Sequence, residues 1–462
     1  MPVTNPHLKI ILTSLTVLFL SGIILTYVYL ILNQPYYLSD FNSYYTSAQI
    51  LIQEPQNLYH FPTQQLFQHQ NAPGSTLPTS DYLIPYANPP FFLLLYLPLT
   101  IFPPATAYFI NIILNLLLLA IAVIWLFKLF PQIKYKFLLV LFTLSLPQVF
   151  STLLMNQNAF WGLLIFTSVY AGLKNRYWFV TGLSASLLVY KPQLSILLFI
   201  YILLKKNFRL TIGLVAGLIA LGALSILIDP YFPLDFLKSL KNFSDYTHAS
   251  PLNRITWWGL FLQLKQIWRS LPVTYLSLTF SILTISIILL KIFRKSRGAD
   301  SKLPSLRAGS KLHFEPNLSR AGAVFTTCSP MESDTRPQRS HRTETFQQAS
   351  LPHTFTLLIL GTLLSSMHAH GQESILLLIP IYYLFSQTYN QTKNNLTIWQ
   401  FNSTAVYFTV TLGWLIFFHD TLSRFYAFPP ALLPNLYLFG LLILFLLPYK
   451  TSPFQVKLNV QT

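Results

Sequence analysis

Residues 8–32 read LKIILTSLTVLFLSGIILTYVYLIL, and this stretch decides the fold class because it is long and apolar enough to cross a lipid bilayer. A helix needs about 20 mostly apolar residues to span the hydrocarbon core. The stretch begins almost at the N-terminus but shows no small-residue cleavage pattern of a secretory signal peptide. We therefore expect it to remain in the protein as a transmembrane helix.

The composition of the whole chain is apolar as well. Of the 462 residues, 53% are hydrophobic and only 9% are charged, with a mean hydropathy of +0.50. So few charges cannot cover a soluble globule of this length. We predict an all-α, polytopic bundle of about twelve transmembrane helices. The predicted helices are residues 8–32, 105–128, 137–155, 158–173, 177–190, 193–204, 210–228, 272–293, 353–367, 374–388, 402–418 and 434–449.

The formal net charge of +17 does not indicate a nucleic-acid partner. Nucleic-acid-binding domains concentrate their cations on one polar surface, whereas here the cations lie between apolar runs. The only cysteine, Cys328, excludes an intrachain disulfide framework and a multi-cysteine metal site. We expect no cofactor, no nucleic acid, and membrane lipids as the surroundings.

The positions of the charges predict the orientation. With both termini in the cytoplasm, most Lys and Arg residues lie on the inner side, which is the usual bias of membrane proteins. Asp40, Glu54 and Asp81 then lie outside, in a segment, 33–104, that contains no Lys or Arg. We expect a multi-pass protein of the plasma membrane.

The segment 33–104 is predicted to be a large outer loop that carries the chemistry. Within it, residues 40–52 place apolar side chains on one face at helical spacing, which favours a helix lying along the membrane surface. Residues 88–104 are apolar but rich in proline, so we interpret them as a re-entrant or interfacial segment.

These predictions divide the chain into three parts. Residues 1–293 form a transmembrane bundle with the outer catalytic loop, and residues 351–462 add the remaining helices of the same bundle. Between them, residues 294–350 combine many charges with few aromatic side chains, which is typical of a disordered loop, here a cytoplasmic one.

Several short motifs occur in a recognisable order. They are SDFNSYYTSA at 39–48, LY at 58–59, Y-x-NPPF at 86–91, NQN at 156–158, YKPQ at 190–193, NRITWWG at 253–259 and SSMHAHGQESILLLIP at 365–380. Together the set resembles family 87 of the C-type glycosyltransferases over nearly the whole chain except 294–350. Two departures are Asn156, where Gly often precedes the Gln, and Met367, where Pro is common.

The resemblance implies an enzyme that moves a hexose, in many members mannose, from a polyprenyl-phosphate donor to an extracytoplasmic lipid or glycan acceptor. A lipid-phosphate donor keeps its tail in the bilayer and its phosphate at the outer interface. The site therefore needs cations and a carboxylate at that depth. A nucleotide-sugar enzyme would need a donor site in the cytoplasm, where we find no phosphate loop.

Asp40 is the predicted general base, because sugar transfer with inversion needs a carboxylate to take the proton of the incoming hydroxyl. The alternative from the residue alone is a helix N-cap, since Asp40 precedes a predicted helix. The resemblance favours the base, and the two roles are compatible.

Four residues are predicted to bind the donor phosphate: Lys191, Arg254, His368 and His370. The alternative for Lys191 is a membrane anchor whose charged end snorkels to the interface. The alternative for Arg254 is a position on a solvated basic face. The two His residues lie near Glu373, which suggests a metal site. We predict none, because His-x-His directs its side chains apart and no third ligand is evident.

The resemblance also implies substrate binding by Tyr44, Tyr86, Gln157, Asn158, Gln193 and Glu373. For the two tyrosines, the alternative is an ordinary position at a membrane interface.

A membrane transporter or lipid flippase is the second functional hypothesis. Transporters place ionisable residues near the bilayer midplane, in interrupted helices of two matching halves. This chain keeps its acids in predicted loops or at helix ends and shows no matching halves.

Overall fold

The computed structural model describes residues 6–72, 83–246, 256–301, 337–365 and 371–391. In this part of the chain the regular structure is helical, without β-strands. The α-helices in chain order are α1 (Pro6–Leu32), α2 (Asp40–Gln53), α3 (Phe61–Asn71), α4 (Pro104–Leu129), α5 (Lys136–Leu144), α6 (Pro147–Leu154), α7 (Ala159–Asn175), α8 (Trp178–Ser186), α9 (Pro192–Leu204), α10 (Phe208–Ile228), α11 (Phe232–Tyr246), α12 (Trp257–Ile267), α13 (Val273–Ser301), α14 (Pro337–Ser365) and α15 (Leu378–Gln391).

Among the described residues, four helices are long and apolar enough to cross a membrane: Thr13–Leu32, Pro104–Leu129, Phe208–Ile228 and Val273–Phe293. The bent pair α5 and α6 makes a fifth candidate if it is one span. Large apolar side chains stay exposed on these helices, such as Leu18 at 71% and Leu227 at 82%. Such surfaces belong in lipid, so the chain is a helical membrane protein.

The predicted helix 137–155 is broken in the structure, which corrects the prediction. Pro147 is the first residue of α6, and Leu146 before it is extended at ψ 132°. Proline disfavours the helical conformation in the residue that precedes it. The result is a bend of 50° between α5 and α6.

The segment 88–104 contains two short 3-10 helices, Pro90–Leu95 and Leu97–Ile101, instead of an α-helix. Its prolines remove backbone donors, and the regular helix α4 starts only at Pro104. A re-entrant or interfacial position of this segment stays a prediction.

Helices α8 and α10 pack closely against each other because glycines line their contact. A Cβ placed on Gly213 would collide with the backbone oxygen of Phe179, and one on Gly182 with that of Leu210. Small residues let two helix backbones approach in this way. The contact holds α8, the helix that leads into the Tyr190–Lys191 corner.

The prediction for residues 294–350 falls only partly on the described residues. Helix α13 continues to Ser301 and α14 begins at Pro337, so the segment 294–350, predicted to be disordered, is helical at both ends. Residues 302–336 lie outside the described residues, as do the predicted helices 402–418 and 434–449.

Candidate active site

Helix α2 carries Asp40 into the protein interior. The predicted helix at 40–52 is confirmed, and its expected position along the membrane surface stays a prediction. Phe41, Tyr45 and Ala48 are buried, and so are Asn42 and Thr46 on the opposite, polar side. The helix therefore packs inside the protein on both faces, which holds its first turn in a fixed place.

The Asp40 carboxylate does not occupy the cap position. Ser39 is the N-cap residue, and Asp40 is the first residue of α2. Its Oδ2 instead accepts a hydrogen bond from Nε2 of Gln157, which is far away in sequence. The negative charge also lies at the helix N-terminus, which the helix dipole stabilises.

The turn at 156–158, between α6 and α7, brings Gln157 to Asp40. Asn156 has a left-handed backbone with φ 50°, a conformation that Asn and Gly tolerate best. Its Oδ1 accepts hydrogen bonds from Nδ2 of Asn111 at 2.9 Å and of Asn115 at 2.8 Å. Its own Nδ2 donates to the backbone oxygen of Tyr108. Three buried contacts with α4 thus fix the turn.

Asn158 connects the same turn to a group of tyrosine side chains. Its Nδ2 donates to the Tyr44 hydroxyl at 2.8 Å, and its backbone oxygen accepts from the Tyr190 hydroxyl at 3.2 Å. The Tyr44 ring stacks on Tyr96 with centroids 4.8 Å apart and meets Tyr86 edge to face at 6.2 Å. Side chains from α2, the 3-10 segments and the 190–191 corner therefore surround the Asp40 carboxylate.

Lys191 and Glu373 form an ion pair beside Asp40. Lys191 lies at the corner between the short helix Leu187–Tyr190 and α9, where Pro192 starts the new helix. Its side chain is 13% exposed, whereas that of Glu373 is 1% exposed. A charge buried this far needs a partner of opposite charge, and the two groups supply it for each other.

The electrostatics of the cluster suit a carboxylate that exchanges protons near neutrality. Burial raises the pKa of Asp40 to about 6; Lys191 lowers it and Glu373 raises it by smaller amounts. Burial likewise raises the pKa of Tyr44 well above its ordinary value. The electrostatic interactions of Tyr44 with Tyr96 and Asp40 raise it further, by smaller amounts. Tyr44 therefore stays a neutral hydroxyl while Asp40 titrates.

The structure brings most of the predicted site residues together. Asp40, Gln157 and Asn158, Lys191 and Glu373, and the two tyrosines Tyr44 and Tyr86 belong to one cluster. Gln193 lies in the first turn of α9, and no described contact joins it to that cluster. The other predicted phosphate ligands, Arg254, His368 and His370, lie outside the described residues.

No supporting role was predicted from the sequence for the residues that hold the cluster, which are Tyr96, Asn111, Asn115, Asn156 and Tyr190. One signal was available: Asn111 and Asn115 lie one turn apart in the apolar helix α4. Polar side chains in such a helix usually face other protein groups and mark a functional region.

The comparisons with known proteins found one family. The sequence model of glycosyltransferase family 87 matches residues 86–310, a range that includes Tyr86, Gln157, Asn158 and Lys191. No curated protein and no solved structure matches the chain.

Proposed function

The chain belongs to glycosyltransferase family 87, as the match over residues 86–310 supports, and from this premise we propose the reaction and the roles of the cluster. The proposed reaction moves a hexose, specifically mannose, from a polyprenyl-phosphate donor to an extracytoplasmic lipid or glycan acceptor. Asp40 is the general base.

The Asp40 environment is the observation that carries this proposal. A carboxylate with a pKa of about 6 is largely ionised at neutral pH and still basic enough to take a proton. The Gln157 amide holds it in one orientation. As a whole residue Asp40 is intermediate in exposure, and we propose that the incoming hydroxyl approaches the carboxylate from this partly exposed side.

The chemical step follows from that position. The acceptor hydroxyl gives its proton to Asp40 while its oxygen bonds to the anomeric carbon of the donor sugar. The bond between that carbon and the phosphate oxygen breaks, and polyprenyl phosphate leaves with the electron pair. Attack from the face opposite the phosphate inverts the anomeric configuration.

Lys191 is the proposed phosphate contact within the described cluster. Its charge is already balanced by Glu373, and Asp40 adds a further negative charge. A phosphate therefore needs more cations than Lys191 alone. We propose that Arg254, His368 and His370 supply the remaining donors, with Glu373 orienting the Lys191 ammonium.

The test compares donor classes with the purified protein. Radiolabelled mannose is offered either on polyprenyl phosphate or on a nucleoside diphosphate, in a detergent solution without sealed compartments. We expect label transfer to an envelope-lipid extract from the polyprenyl-phosphate donor only. Transfer from the nucleotide sugar instead, or no consumption of the lipid donor, would contradict the proposal. A transporter would also show no transfer here, since transport needs a sealed compartment.

A further inference from the structure

A long part of the chain carries cations but no acids. Residues 82–228 contain nine Lys and Arg residues and neither Asp nor Glu. One of the nine, Lys191, belongs to the Asp40 cluster, and the others lie at or next to the turns that follow α4, α7 and α9. The turn between α9 and α10 holds three of them, Lys205, Lys206 and Arg209. An accumulation of one sign of charge attracts ligands of the other sign.

This turn lies at the other end of the bundle from Asp40. Helix α9 starts at Pro192, next to Lys191 of the Asp40 cluster, and ends at Leu204, next to Lys205. Its 13 residues rise by about 1.5 Å each, so about 20 Å separates the two ends of the helix. The cations of the turn therefore do not contact a group that is bound beside Asp40.

The Lys205 side chain is held in place by two aromatic rings. Its Nζ lies 5.5 Å from the ring centre of Trp178 and 5.7 Å from that of Tyr201. Ring faces attract and orient an ammonium group, and the group keeps N–H donors for an oxygen ligand. Burial lowers the pKa of Lys205, because the charged form loses hydration that its surroundings replace only in part. An anion beside Lys205 would replace the rest.

Lys206 and Arg209 add two accessible charges to the turn. Both residues are exposed, and Arg209 lies in the first turn of α10. Among the residues that the structure describes, no carboxylate pairs with Lys205, Lys206 or Arg209, whereas Lys191 and Lys238 each have one. Three cations within five residues thus offer charge-assisted hydrogen bonds to one phosphate group.

Exposed apolar side chains flank these cations. Phe208 is 77% exposed and Leu204 is 46% exposed, and the two residues lie on either side of Lys205 and Lys206 in the sequence. Such side chains fit acyl chains and the boundary between lipid and water. A free anion in solution gains nothing from them, whereas a phospholipid contacts both the cations and the apolar side chains.

We propose that Lys205, Lys206 and Arg209 bind the phosphate group of an anionic phospholipid. Its acyl chains lie along the exposed side chains of Leu204 and Phe208. A zwitterionic lipid fits less well, because its headgroup brings a positive charge close to three cations. This inference is independent of the proposed function, since the site lies at the end of the bundle opposite the candidate active site.

The test is nondenaturing mass spectrometry of the purified, delipidated protein in detergent, which counts the lipid molecules bound. The probes are dioleoyl phosphatidylglycerol, which is anionic, and dioleoyl phosphatidylcholine, which has the same acyl chains and no net charge. We expect the wild-type protein to bind its first phosphatidylglycerol at least about fivefold more tightly than phosphatidylcholine. The double variant Lys206→Ala, Arg209→Ala should weaken phosphatidylglycerol binding by about 25-fold, from about fivefold for each cation.

Two further variants separate a site from a general positive charge. Lys205→Met keeps an unbranched side chain between the two rings but removes the charge, so it should weaken phosphatidylglycerol binding by about fivefold. Lys128→Ala together with Lys136→Ala is the matched control, because it removes two exposed cations of the same acid-free part of the chain near the turn after α4. It should leave the affinity for phosphatidylglycerol unchanged.

The proposal is overturned if the double variant or Lys205→Met binds phosphatidylglycerol as tightly as the wild type. It is also overturned if the control variant loses as much affinity as the double variant, because the cations would then act only as a diffuse positive surface. Equal wild-type affinity for the two lipids would reject an anionic ligand. Displacement of phosphatidylglycerol by an equal concentration of inorganic phosphate would reject a lipid as its source.

Discussion

The Asp40 carboxylate predicts the pH dependence of the enzyme. Its pKa is raised to about 6, so the base is protonated and inactive below that value and ionised above it. We therefore expect kcat to rise with pH through about 6 and to level off near neutrality. Gln157→Ala should move this rise to higher pH, because the lost hydrogen bond stabilised the ionised form. The measurement is the pH profile of kcat, and an unchanged midpoint in the variant would refute the contact.

The proposed contact of Lys191 with the donor phosphate leads to a prediction about the apparent KM for the donor. A charge-assisted contact is worth about 1.5–3 kcal/mol, so Lys191→Ala should raise the apparent KM for the donor by about 10- to 100-fold. Lys191→Arg should restore only part of it, because the guanidinium has another shape. Lys238→Ala is the matched control, since Lys238 pairs with Asp235 on an exposed surface. Equal donor KM values for Lys191→Ala and the control would argue against phosphate binding.

At the residue scale, the sequence predicted which residues lie together in the cluster better than it predicted the contacts that support them. Asp40 and Lys191 stood out because carboxylates and cations are rare in apolar sequence, and because the motifs around them resemble a known family. The Gln157–Asp40 contact joins residues 117 positions apart. Helix α2 and the turn at 156–158 come together because both contact α4, through the Phe41–Tyr108 ring contact and the hydrogen bonds of Asn156. No sequence spacing encodes such a contact.

The helices differ in how well the pattern of apolar residues in the sequence predicted them. The long apolar helices α1, α4 and α10 were predicted closely, because a uniform apolar run has few alternatives in a bilayer. Helix α2 was predicted as a helix, but the burial of its polar face was not predicted. Its polar face consists of Asn, Ser and Thr side chains, which can be buried when they find hydrogen-bond partners, as Thr46 does with Asn42.

The contact between α8 and α10 gives a prediction about stability. Gly213→Ala would force a methyl group against the backbone of Phe179, so the helices must separate. Overpacking of this kind costs about 1–3 kcal/mol. Gly222→Ala lies in the same helix with nothing within 4 Å of the new methyl group, so it should be neutral or slightly stabilising. Thermal unfolding of the purified variants measures the difference; equal midpoints would show that the contact is loose.

At the scale of the whole molecule, we predict that the cytoplasmic loop is not needed for the reaction. The family match ends at residue 310, and α14 begins at Pro337. We expect that replacing residues 311–336 with a short Gly/Ser linker leaves membrane insertion and transferase activity per folded molecule intact, because these residues lack the apolar content of a core. Activity lost with normal insertion would mean that this segment contributes to the working enzyme.

The central claim, that Asp40 is the base of a lipid-linked sugar transferase, is tested most directly by the turnover of purified Asp40→Asn. The amide keeps the shape of the side chain but cannot take the proton, and loss of a general base typically costs about 100-fold or more. Asp235→Asn is the control, because it neutralises a more exposed carboxylate paired with Lys238. We predict that Asp40→Asn inserts and folds like the wild type, yet transfers mannose from polyprenyl phosphate at least about 100-fold more slowly, while the control keeps its rate. Wild-type turnover by Asp40→Asn would contradict the assignment of the base and the mechanism built on it.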